Sequence, residues 1–75
     1  MPGIQTASQV LDTYFLETRA KLLEIAATLD RFDRASDSKA IHSDPRLAFI
    51  QNALKILESS TPGRTETIQR LYSKE

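Results

Sequence analysis

No proline or glycine interrupts the chain between Gly3 and Pro45, so the whole stretch from Ile4 to Asp44 is free to run as helix. Within it, Leu11, Phe15, Thr18, Leu22, Ile25, Leu29 and Phe32 follow one another at alternating steps of four and three. That spacing places them along one side of an α-helix, as in a heptad repeat, and no strand reproduces it. Thr6 followed three residues later by Gln9 offers a capping box, which predicts a start near residues 6–9. Glu17 with Lys21 and Asp30 with Arg34 add favourable pairs four residues apart. The polar run Ser36-Asp37-Ser38 predicts the end, for a helix of about 28 residues and roughly 42 Å.

Residues 36–44 read as a connection, pinned by Ile41. Asp44-Pro45 then has the residue types of an N-cap and first helical position, since a carboxylate accepts from a free backbone N–H and proline lacks the N–H that would go unpaired. Leu47, Ile50, Ala53, Leu54 and Leu57 form one face of a second helix ending near Ser59, with Phe49 and Ile56 off that face. Thr61-Pro62 repeats the cap-and-proline pattern and predicts a third helix carrying Ile68, Leu71 and Tyr72 inward. The expected fold is therefore all-α: a single domain over residues 1–75, with a flexible N-terminus at 1–6. A long first helix would pack against a shorter helical hairpin in a three-helix, up-down-up bundle.

At 75 residues this domain buries only about 60% of its unfolded surface, and without cysteine it cannot use disulfides to compensate. The apolar arc on the long helix matters for that reason. Besides the main stripe, Leu16, Leu23, Ala20 and Ala27 make a second seam about 120–180° away, further round than one neighbouring helix covers. Either the second and third helices cover one seam each, or they are too short to mask the rod and part of it is left for another chain. The second reading predicts an interaction or structural module that self-associates as a homodimer, with Leu16, Arg19, Leu23 and Ala27 as its surface. Asp12, Arg19, Asp30 and Asp37 form a polar column between the seams, and in an antiparallel pair Arg19 would meet an acidic group across the two-fold.

Other chemistry finds little support. Ten basic and ten acidic residues leave no net charge, and the halves differ only slightly, with four basic against six acidic in residues 1–37 and six against four in 38–75. General attraction to nucleic acid or an anionic membrane is not expected. The alternative reading is a helix-turn-helix-like nucleic-acid binder displaying Arg64, Thr65, Thr67, Gln69, Arg70 and Lys74, opposed by Glu66 and Glu75. Asp30, Asp33, Asp37, His42 and Asp44 suggest a metal site only weakly, because Arg31, Arg34 and Lys39 are interleaved with them. No catalytic residue, cofactor or metal is expected, since a bundle this small has little room for a pocket. Neither a basic and apolar leader nor a run of about 18 apolar residues is present, and a cytoplasmic home is the expectation.

Overall fold

The computed structural model describes residues 4–73; the first three residues of the expected flexible terminus, and Lys74 and Glu75, lie outside the described residues. It is all-α, with three α-helices and one short 3-10 turn, and no strand among the described residues. The chain divides into two compact units, Met1–Ser36 and Asp37–Glu75.

The first unit is one helix, α1 (Ala7–Arg34), 28 residues long. Its start is the predicted capping box: the Thr6 hydroxyl accepts from the Gln9 N–H at 3.1 Å, and the Gln9 side-chain oxygen accepts from the Thr6 N–H at 2.8 Å. Two of the four free donors of the first turn are thereby satisfied. Thr13 and Thr28 donate their hydroxyls to the carbonyls of Gln9 and Glu24 one turn back, which removes two polar groups from competition along the rod. Arg31 and Arg34 occupy the last turn, where cations complement the negative end of the helix dipole. Of the two expected intrahelical ion pairs, Glu17–Lys21 forms at 2.9 Å; Asp30–Arg34 is not among the ion pairs of the described residues.

The second unit opens with a feature the sequence reading treated as plain connection, a 3-10 turn over Ser38–Ile41 held by the Ala40 N–H donating to the Asp37 carbonyl at 2.8 Å. Then comes α2 (Pro45–Glu58), started as expected by Asp44 with Pro45 in the first turn. Asp44 accepts from the Arg46 backbone N–H at 2.8 Å, and its two oxygens take Arg46 Nε at 3.1 Å and Nη2 at 2.9 Å. These bonds to Arg46 hold the Asp44 carboxyl at about 2, below the ordinary 3.8. Because the folded value is depressed, the stabilisation is complete above pH 4 and is lost as pH falls from about 4 towards 2. In an acid titration followed by far-UV circular dichroism, wild type should therefore lose more helix across that window than Asp44→Asn, which still caps but does not titrate. Superimposable curves would remove the cap from any role in acid stability.

α3 (Arg64–Ser73) begins two residues later than the sequence predicted. Thr61-Pro62 is not its cap and first turn, because Gly63 has φ +85°, a left-handed conformation that a helix interior does not admit and that glycine adopts without steric cost. The helix starts beyond it, with the Gly63 carbonyl accepting from the Thr67 N–H at 3.1 Å and from the Thr67 hydroxyl at 3.0 Å.

α2 packs on α3 as an antiparallel hairpin: Phe49, early in α2, meets Tyr72, late in α3, with ring centroids 5.8 Å apart in an edge-on arrangement. At the other end, Ile56 shares a small hollow with Arg64 and Thr67. The two α2 residues lying off the expected face, Phe49 and Ile56, are thus the ones turned to α3. The turn between the helices is closed by Arg64, whose Nε donates to the Ser59 carbonyl at 3.0 Å and whose Nη2 donates to the same oxygen. That carbonyl is one of the unpaired acceptors at the end of α2.

Candidate functional site: the exposed face of α1

No side chain among the described residues is buried, and the largest exposed apolar ones concentrate on α1. Leu11, Tyr14, Phe15, Leu16, Leu22 and Leu23 are each more than half exposed. Further along, Ile25, Ala27, Leu29 and Phe32 are half-buried. Single exposed leucines are ordinary on a protein surface, whereas a contiguous row of them marks an interaction site.

The row is not flat. Phe15, Thr18, Arg19, Leu22, Leu23 and Ala26 line a shallow depression that is open to solvent. Its cause is visible in the side-chain sizes: Thr18 and Ala26 are short, while Phe15, Leu22 and Leu23 stand above them on the same side. The six residues are centred midway between Ala7 and Arg34, the ends of the helix. Phe15, Thr18, Arg19 and Leu22 are related by steps of three, one and three. That is the diamond of four residues that receives a side chain of a neighbouring helix in knobs-into-holes packing.

Of the four surface residues expected from the sequence, Arg19 and Leu23 line this hollow; Leu16, 75% exposed, and Ala27, half-buried, lie outside it. Phe15, Thr18 and Leu22 belong to it and were assigned by the periodicity to the main stripe; Ala26 completes it. The short Thr18 within a row of large apolar residues is the sequence signal for a hollow. Arg19 takes part in none of the ion pairs of the described residues, while Glu17 and Lys21 are paired on the opposite flank of the stripe.

The other candidates can be placed as well. The α3 surface has less free charge than its sequence suggests: Arg64 is engaged with the Ser59 carbonyl and Arg70 with Glu66 at 2.9 Å, and Lys74 lies outside the described residues. No three His, Cys, Asp or Glu side chains among the described residues are grouped to hold a metal ion. No described helix is long and apolar enough to cross a membrane. Comparison with protein-family models, with curated proteins and with solved structures finds no match to this chain.

Proposed function

We propose that the protein is a small interaction or structural module of the cytoplasm that self-associates through α1. The observation that carries this reading is the exposed apolar surface of α1 between Leu11 and Leu23, with a shallow depression within it. Helix lengths bound what the rest of the chain can hide. α2 has 14 residues, about 21 Å, against 28 residues and about 42 Å for α1. The apolar residues of α1 extend round more than half its circumference, which is the pattern of a helix with more than one neighbour. Exposed apolar surface on this scale favours an interaction site.

Sedimentation equilibrium tests the reading. A mass above 8.4 kDa that rises with concentration through the micromolar range is the expected result. A single monomeric species at several hundred micromolar would overturn self-association. The nucleic-acid alternative draws on the hairpin and the basic residues of α3, but two of these are engaged within the chain. A salt-sensitive mobility shift with random duplex DNA would favour it.

A further inference from the structure

Thr61-Pro62 does not start α3, which begins after Gly63, so the pair is left without a structural task. The hydroxyls of Thr6, Thr13, Thr28 and Thr67 are all bonded to backbone within one turn, and Thr18 and Thr65 lie inside helices. Thr61 differs from all of these. It is exposed, stands in the irregular backbone between α2 and α3, and takes part in none of the hydrogen bonds of the described residues. Pro62 behind it disfavours helical backbone at Thr61 and so holds the residue extended.

We propose that Thr61 is a phosphorylation site, modified by a proline-directed Ser/Thr kinase, and that Lys55 and Arg64 receive its phosphate. An enzyme of this class grips its substrate as extended chain with the hydroxyl outward, which a helical threonine does not offer. The sequence Thr61-Pro62-Gly63-Arg64 adds the following proline and a cation three residues on, both of which such enzymes favour. In the reaction Thr61 Oγ attacks the γ-phosphorus of ATP. The new O–P bond forms as the bond from that phosphorus to the departing ADP oxygen breaks, and the hydroxyl proton passes to the kinase's carboxylate base.

The hollow beside Thr61 is suited to the product. Lys55 and Arg64 line it with Thr61, and no acidic side chain does. Neither cation belongs to an ion pair of the described residues. Arg64 gives Nε and Nη2 to the Ser59 carbonyl, and its guanidinium keeps further N–H donors free. A phosphothreonine carries about −1.5 to −2 charges at pH 7 and three strong acceptor oxygens, enough to bridge two cations that otherwise repel each other. Lys55 lies in the last turn of α2 and Arg64 opens α3, so the bridge ties the end of one helix to the start of the next. Phe49 and Tyr72 join the two helices at the other end of the hairpin.

This inference stands apart from any role of α1. Incubating the full chain with a purified proline-directed kinase and magnesium ATP should add one phosphoryl group, mapped to Thr61 by fragmentation mass spectrometry. Thr61→Val should lose the incorporation, and Pro62→Ala, which keeps the hydroxyl, should lose most of it. No incorporation, or incorporation at Ser36, Ser43 or Ser60 in its place, would overturn the site. The phosphorylated hairpin should melt about 5 °C above the unmodified one, followed by near-ultraviolet circular dichroism. Lys55→Ala should remove a large part of that rise; Lys55 is exposed and alanine is the better helix former, so the variant keeps its fold. No rise, or a rise that Lys55→Ala leaves whole, would overturn the hollow as the seat of the phosphate.

Discussion

Leu22→Glu is expected to dissociate the assembly, weakening it about a thousandfold. Leu22 is 56% exposed within its own chain, so the substitution leaves the isolated helix largely undisturbed, and glutamate is a better surface residue there than leucine. In the proposed assembly the same position would be covered. Losing one buried leucine from each of two copies removes about 4 kcal/mol, from about 2 kcal/mol per side chain, and that alone is roughly three powers of ten in the association constant. Sedimentation equilibrium should show a monomer across the range where wild type associates, with unchanged far-UV circular dichroism at matched monomer concentration. Leu23→Glu, at the edge of the hollow, should weaken association less. The reverse order would move the interface to the seam that holds Leu16, Leu23 and Ala27.

The second large effect falls in the hairpin. Phe49→Ala removes a half-buried ring and its edge-on partner contact with Tyr72. A fully buried phenylalanine costs about 3–5 kcal/mol on truncation, so half burial together with the lost ring pair gives roughly 2–3 kcal/mol. A unit of 39 residues, from Asp37 to Glu75, has only a few kcal/mol of stability at the usual 0.05–0.15 kcal/mol per residue, and the hairpin should be largely open at 25 °C. The chain has no tryptophan and two tyrosines, so the near-ultraviolet circular dichroism of Tyr72 reports the change. Tyr72→Phe, which keeps the ring, should stay within about 0.5 kcal/mol of wild type. Equal losses from both substitutions would show that the ring contact is not what holds α2 to α3.

The parts of this architecture that were legible in the sequence are those set by local chemistry. Thr6 and Gln9 satisfy donors three residues away, Asp44 and Pro45 act within a single turn, and the four-three spacing of the α1 stripe follows from the pitch of the helix. The errors came where two local signals competed. Thr61-Pro62 has the residue types of a helix start, yet Gly63 takes up the left-handed conformation needed to turn the chain, and α3 begins after it. Arg64 reads as a base-contacting residue until its guanidinium is seen on the Ser59 carbonyl, a partner fixed by the path of the turn rather than by any spacing rule. The hollow on α1 lay between these cases. Phe15, Thr18, Arg19, Leu22 and Leu23 were all legible as stripe, seam or flanking positions, but a depression depends on the relative heights of Phe15, Thr18 and Leu22, which spacing alone does not show.

That α1 has no buried side chain also bears on how long a copy survives. Were α1 kept in shape by the self-association proposed above, mass action would tie its melting temperature to protein concentration. In the proposed self-association, copies would therefore fray at low abundance and shield one another when well supplied.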